Sequence, residues 1–333
     1  MTTFSIVTQP VVEAMLAGAE QAIVDCVRDA YVRHGAGATV NPDSSFLRFP
    51  DKPNARIIAL PAFLGAESGT AGIKWISSFP DNVAQGRQRA SAVLILNDYE
   101  TGHPVALLAA AAISAARTAA SAALAAQLLT SRAPSRVGVV GCGYLARTIC
   151  RFVRAGGTPM PVVRCHDLSG SSAEALVGNL READATADAA VAGLDEALDA
   201  DLVILATTAL KPYVPAQRVF RAGQVVLNIS LRDLAPEILL RADNVLDDVD
   251  HCLKQHTSPH LAELATGGRA FVTGTITDAI HGTLSLDPNR PSVFSPFGLG
   301  VLDLAVGRWT LDRARAAGRT VELPDFLGDQ VRW

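Results

Sequence analysis

Between Arg136 and Ile229, four short runs rich in branched residues alternate with stretches of helical spacing: Val137-Gly-Val-Val140, Val162-Val-Arg-Cys165, Leu202-Val-Ile-Leu-Ala206 and Val225-Val-Leu-Asn-Ile229. Strands that are apolar throughout are buried on both faces, and strand–helix alternation makes neighbouring strands parallel. The region is therefore read as a doubly wound α/β domain. Gly141-Cys-Gly143-Tyr-Leu-Ala146 follows the first strand and opens a helix over Tyr144 to Ala155. Alone the pattern is weak, because glycine turns after strands are common. Here the glycines let the backbone approach a pyrophosphate, the helix start at Tyr144 and Leu145 offers N–H groups to it, and Ala146 permits close helix–strand packing. The next strand leads into Asp167, 24 positions after Gly143, which is close to the spacing of a carboxylate that holds a ribose 2′-OH. No Lys or Arg follows in Leu168-Ser-Gly-Ser-Ser-Ala173, so NAD is expected rather than NADP. Thr207 and Thr208 close the strand at Leu202, on the side where open sheets bind ligands.

A chain of 333 residues has room for two domains of ordinary size. With 49% apolar and 19% charged residues it is a compact protein and not a disordered one. The net charge of −4 and the absence of any Lys/Arg-rich run favour a small-molecule partner over nucleic acid. Five cysteines (Cys26, Cys142, Cys150, Cys165, Cys252) are scattered without a CxxC pair and read as reduced cytoplasmic thiols. No metal is expected: Pro259 separates His256 from His260, and Asp247, Asp248, Asp250 and His251 follow no ligand spacing. No GxSxG elbow or P-loop occurs. The N-terminus lacks the basic and apolar stretches of a signal peptide.

Pro104 to Leu129 is almost wholly Ala, Leu, Ile, Ser and Thr, with Arg117 at its middle. A charge there disfavours a membrane span, so a buried helix is expected. Thr130 to Ser135 marks a boundary, giving domains over 1–130 and 131–304, with 305–333 returning to the first. The first domain mixes a helix over Val11 to His34 with strands at Arg56 to Pro61 and Ala92 to Asn97, an α+β layer.

Three ionisable residues stand out. A guanidinium in an apolar helix needs an anionic partner, so Arg117 faces either a substrate carboxylate, which matches its planar fork, or an internal Asp or Glu. Lys74 is a lone charge in the apolar run Gly72-Ile-Lys-Trp-Ile-Ser-Ser-Phe79. It is a site candidate, or a strand lysine with its stem along the sheet. Asp233 follows the strand at Val225, where an acid of tuned pKa exchanges protons with an amine or water. It is equally placed to cap a helix over Leu234 to Leu240.

Taken in order, Gly72-Ile-Lys74 with Phe79-Pro-Asp-Asn82, Leu96-Asn-Asp98 with Thr101-Gly102, Ala116-Arg117-Thr118-Ala119, Gly141 to Ala146, and Asp233 resemble the ornithine cyclodeaminase/μ-crystallin family over nearly the full chain. The resemblance implies a homodimer of two-domain subunits, with substrate and the dimer sheet on the first domain and NAD on a Rossmann-type second. It implies that Lys74 and Arg117 bind the substrate carboxylate, that Asp233 and Lys74 carry catalysis, and that Thr118 lies with the cofactor. Arg48, in Phe46-Leu-Arg-Phe-Pro50, adds a further carboxylate contact. Within the family, the stretches 74–80, 89–98, 228–233 and 295–303 look most like the branch that makes 2,3-diaminopropionate for siderophores and related natural products, supplied by a pyridoxal-phosphate-dependent synthase. Leu231-Arg232 stands where ornithine cyclodeaminases carry glycines, and Arg89 and Arg232 add cations for a substrate with several carboxylates. The implied reaction is NAD-dependent oxidative hydrolysis of N-(2-amino-2-carboxyethyl)-L-glutamate to L-2,3-diaminopropionate and 2-oxoglutarate. The other readings are an ornithine cyclodeaminase, amino-acid dehydrogenase or ketimine reductase of the same family, and a non-catalytic crystallin-like protein that binds a dinucleotide or another small ligand.

Overall fold

The structure, a computed structural model, describes residues 3–65 and 69–328. The chain divides into two compact units, Met1–Arg117 with Leu299–Trp333, and Thr118–Gly298. The first unit begins with β1 (Phe4–Val7), α1 (Gln9–Leu16), α2 (Glu20–Gly35), β2 (Thr39–Val40), β3 (Ser45–Phe49), β4 (Lys52–Leu64), β5 (Thr70–Ser78), β6 (Ala90–Asp98), β7 (Pro104–Ala109) and the opening of α3 (Ala111–Leu129). The second contains β8 (Val137–Val140), α4 (Tyr144–Ala155), β9 (Val162–His166), α5 (Gly170–Ala183), β10 (Asp188–Val191), α6 (Leu194–Leu198), β11 (Leu202–Leu205) and β12 (Val225–Asn228). It continues through α7 (Pro236–Leu239), β13 (Asp243–Leu246), α8 (Val249–Cys252), α9 (Ser258–Thr266), β14 (Val272–Thr275), α10 (Ile276–His281) and β15 (Ser292–Ser295). The chain then returns to the first unit with α11 (Gly300–Ala316) and β16 (Val321–Leu323).

In the first unit the strands form a mixed sheet in the order β16-β1-β7-β6-β5-β4-β2, with β3 also paired to β4. Its centre, β4 to β7, is antiparallel. Helix α11 packs on β4, β5 and β6. Alternation along β5 buries Thr70, Lys74 and Ser78 on one face, as the period of two requires.

Two expectations are corrected here. The helix expected over Val11 to His34 is two helices, because the chain turns between α1 and α2 at Gly18 with φ of 70°. The helix expected from Pro104 starts only at Ala111, since Pro104–Ala109 is strand β7, paired to β6 and β1. A short apolar run satisfies strand and helix patterns alike, and the sheet's open position between β6 and β1 decides it. By length and composition α3 could cross a membrane, and 78% of its apolar window is buried.

The second unit is a wholly parallel sheet in the order β10-β9-β8-β11-β12-β15-β13-β14. Every residue of β8, β11, β12 and β13 is buried, and each fully buried Val or Leu stabilises the fold by roughly 1.5–3 kcal/mol. Strand order reverses between β8 and β11, which creates the crevice where such sheets bind ligands. The compact division falls between Arg117 and Thr118, inside α3, where the sequence puts a boundary after residue 130. The Ala-rich helix carries no turn residue at that division for sequence reading to detect.

Candidate active site

The crevice side of the second unit is built from β8 outward. After Val140 the chain turns at Gly141, whose φ of 84° is left-handed. A Cβ there would lie 2.7 Å from the Ala206 carbonyl oxygen, so both conformation and space require glycine. Gly143 precedes α4 as its N-cap and makes no side-chain cap. A Cβ on Gly143 would meet nothing within 4 Å. No side chain caps the start of α4, so its first-turn N–H groups suit a pyrophosphate. Ala146 is fully buried, Leu145 half-buried and Tyr144 exposed.

Asp167 closes this turn. Its Oδ2 accepts a 2.7 Å hydrogen bond from the Cys142 N–H and its Oδ1 a 2.8 Å bond from the Ser169 N–H. Each carboxylate oxygen has a second lone pair, enough for a ribose diol. A negative group held here disfavours a 2′-phosphate. The residues fit NAD.

Beyond β11 and β12, Asp233 is fully buried among three hydroxyl donors. Ser230 Oγ donates to Oδ2 at 2.7 Å and Tyr213 Oη to the same oxygen at 3.1 Å. Thr207 Oγ1 donates to Oδ1 at 2.8 Å. Burial pushes the Asp233 carboxyl above its usual range, and the three hydroxyls oppose that rise. Burial, with the charge and hydrogen bond of Asp233, likewise pushes the Tyr213 phenol up, so it remains a donor. The N-cap of α7 is Ala235, so Asp233 does not fill the capping role that its sequence position allowed, and α7 is shorter than the expected Leu234 to Leu240. Thr208 is exposed. Arg232 donates to the Gln255 carbonyl at 3.0 Å. Thr118 lies half-buried on α3.

In the first unit, Lys74 and Arg117 meet on one carboxylate that sequence reading did not single out. Asp303, on α11, has Oδ2 2.6 Å from Lys74 Nζ and Oδ1 3.3 Å from Arg117 Nε. Lys74 also donates to Ser114 Oγ at 3.1 Å, one turn before Arg117 on α3. The Lys74 side chain is 2% exposed and that of Asp303 1%, which rules out a solvent-facing strand lysine. Burial is the main influence on Lys74 and lowers its ammonium to about 8, while the charge and hydrogen bond of Asp303 raise it and Arg117 lowers it. Arg117 thus has the internal acid that sequence reading kept open. Two cations meet on the two oxygens of one buried carboxylate. One signal pointed to Asp303: it is the only charged residue between Phe297 and Gly307, and two isolated cations elsewhere required a buried acid.

Arg48 and Arg89 lie further along this sheet. Strand register sets Arg48 opposite Arg56, and Arg56 opposite Ser78. Arg89 is half-buried and donates to Ser78 Oγ at 2.8 Å. Arg48 is exposed, its guanidinium 5.5 Å from the Phe46 ring centre. The row falls on the face of β5 that carries Lys74. Arg56 joins it through strand pairing, which no local motif announced. Tyr213 was missed because it reaches Asp233 from 20 positions away, whereas Ser230, three positions before Asp233, lay within local reach of that acid.

A parallel doubly wound sheet with this glycine turn and strand-end acid defines a protein that works with a nicotinamide dinucleotide. More particularly, the chain belongs to the ornithine cyclodeaminase/mu-crystallin family, whose model matches residues 6–318. It is 30% identical to N-((2S)-2-amino-2-carboxyethyl)-L-glutamate dehydrogenase of Staphylococcus aureus over 310 residues, 89% of this chain and 90% of that one. It is also 30% identical to alanine dehydrogenase of Archaeoglobus fulgidus over 324 residues, 93% and 94% of the two chains. Among solved structures, CmnK matches with a TM-score of 0.88 at 27% identity, over 99% of this chain and 100% of that one. An archaeal alanine dehydrogenase dimer with bound NAD matches at 0.86 and 25% identity, over 97% and 100%. With the turn at Gly141, these relationships make the chain an NAD-dependent oxidoreductase of that family.

Proposed function

We propose that this enzyme oxidises N-(2-amino-2-carboxyethyl)-L-glutamate and releases L-2,3-diaminopropionate and 2-oxoglutarate, for siderophore or related natural-product assembly. The observation that carries the reading is the buried cluster of Lys74 and Arg117 on Asp303. Two cations held side by side there can together receive one substrate carboxylate. The row of Arg48, Arg56 and Arg89 on the same sheet face offers charge for the remaining carboxylates, with Arg232 a further cation from the second unit. Identity to the Staphylococcus aureus dehydrogenase supports the same substrate.

When bound, NAD+ supplies the hydride acceptor that turns the glutamate Cα–N bond into an imine, which water then splits. Gly141, Gly143 and the start of α4 at Tyr144, Leu145 and Ala146 hold its pyrophosphate, Asp167 its ribose, and Thr118, Thr207 and Thr208 contribute further contacts. Lys74 and Arg117 fix the substrate carboxylate, which orients the Cα–H. Asp233 takes the proton from amine or water, and half-buried Thr207 and Tyr213 pass it outward through their hydroxyls. In this proposal the unit of 1–117 with 299–333 holds the substrate and the unit of 118–298 holds NAD. The enzyme acts as a cytoplasmic homodimer, supplied by a pyridoxal-phosphate-dependent synthase.

A second reading is an amino-acid dehydrogenase for a substrate with one carboxylate. Equal identity to the Archaeoglobus fulgidus alanine dehydrogenase favours it. Incubation with NAD+ and each candidate separates the two: NADH with 2-oxoglutarate from the N-linked substrate supports the first, and NADH only from L-alanine replaces it with the second.

A further inference from the structure

Asp303 sits in the apolar first half of α11, before Arg308, and is buried. An unpaired carboxylate in such surroundings is strongly destabilising. Its approach to Lys74 depends on how closely α11 lies on the sheet. A Cβ on Gly72 would fall 2.3 Å from the Ile95 carbonyl oxygen and 2.9 Å from Leu304 Cδ2. A Cβ on Gly307 would fall 2.1 Å from Leu94 Cδ2. Glycine on the strand and glycine on the helix bring the two backbones together around Asp303, within salt-bridge reach of a strand lysine.

The carboxylate is divided between its partners, with Oδ2 on Lys74 and Oδ1 on Arg117 Nε. An ammonium has three donors. Among the described residues, Asp303 and Ser114 take two from Lys74, and a ligand can take the third.

We propose that Asp303 is a positioning residue, which fixes Lys74 and Arg117 on opposite oxygens of one carboxylate so that the two cations act as a single receptor for the substrate carboxylate. This rests on the reading that those cations bind that carboxylate. Asp303 does not touch substrate in this account. The charged groups around Lys74 are Arg117 from α3 and Asp303 from α11, with the Ser114 hydroxyl beside them. The charge and hydrogen bond of Asp303 raise the Lys74 pKa against burial. Removing its charge therefore lowers that pKa further, and Lys74 loses its proton at a lower pH than in the wild type.

The test measures KM against pH for wild type, Asp303→Asn, Asp303→Glu, Lys74→Met and Arg117→Met, with NAD+ affinity as the control. The substrate is N-(2-amino-2-carboxyethyl)-L-glutamate, or L-alanine should that be the one turned over. Asp303→Asn should raise KM about tenfold or more, with a smaller fall in kcat and unchanged NAD+ affinity. The alkaline rise in KM should begin at a lower pH than in wild type. Asp303→Glu keeps the charge but is one methylene longer, so it should raise KM severalfold and leave that alkaline rise in place. This variant also serves if the amide variant does not fold, and a wild-type KM in it overturns the proposal. So does a wild-type KM and pH profile in Asp303→Asn while Lys74→Met raises KM. Unchanged KM in both Lys74→Met and Arg117→Met instead rejects the carboxylate-receptor reading on which the proposal stands.

Discussion

The Tyr213 hydroxyl donates to Asp233 Oδ2 at 3.1 Å from 20 positions away in the sequence, and shares that oxygen with Ser230. Burial raises the pKa of a carboxylate above its value in water, and each hydroxyl that donates to the charged form limits the rise. Tyr213→Phe removes one donor to the charged form and so raises the Asp233 pKa further. A base must be deprotonated to act, so the acid limb of kcat should move to higher pH once this hydrogen bond is lost. A kcat–pH profile checks this, and an unmoved limb argues against Asp233 as the titrating base.

Asp233→Asn keeps the shape and removes the base. Turnover should fall by about 10²-fold or more, while NAD+ binding, measured by calorimetry, stays near wild type. Near-normal turnover would assign the proton transfer elsewhere.

Asp167→Ala removes the acceptor for the Cys142 and Ser169 N–H groups together with the proposed ribose contact. Affinity for NAD+ should fall by about 1.5–3 kcal/mol, the worth of hydrogen bonds to a charged group. Affinity for NADP+ should fall less or rise, because the repulsion of a 2′-phosphate is gone. Titration with both dinucleotides reads the ratio, and an unchanged ratio would remove Asp167 from cofactor selection.

Arg89→Ala separates the two substrate readings. If the row at Ser78 receives a distal carboxylate, KM for the N-linked substrate rises and activity on any monocarboxylate amino acid is unaffected. Equal changes for both would show that Arg89 acts through the fold, since its guanidinium also ties to Ser78 Oγ at 2.8 Å.

How much was legible in sequence depended on how local each feature is. The turn from Gly141 to Ala146 and the acid at Asp167 sit within one βαβ unit, so their spacing carries most of their geometry. Lys74 and Arg117 were visible as charges in apolar surroundings, but their common partner Asp303 lies 229 positions from Lys74. Only α11 packing on β4 to β6 reveals it. Arg56 is similar, since it joins Ser78 and Arg48 through strand register rather than sequence spacing. The segment after Pro104 was misread because its apolar residues satisfy two periodicities, and pairing with β6 and β1 makes it a strand. Helix α1 separates from α2 because one residue, Gly18, takes a left-handed turn, a local choice that helical periodicity on either side conceals.

The central claim is hydride transfer from the glutamate Cα of an N-linked substrate held by Lys74 and Arg117. The most direct measurement uses N-(2-amino-2-carboxyethyl)-L-glutamate deuterated at that carbon, with NAD+, followed by mass spectrometry of the reduced dinucleotide and of the products. The account predicts one deuterium in the reduced dinucleotide, with 2-oxoglutarate and L-2,3-diaminopropionate formed in equal amounts. Reduced dinucleotide without deuterium, or no reduction with this substrate, would contradict it.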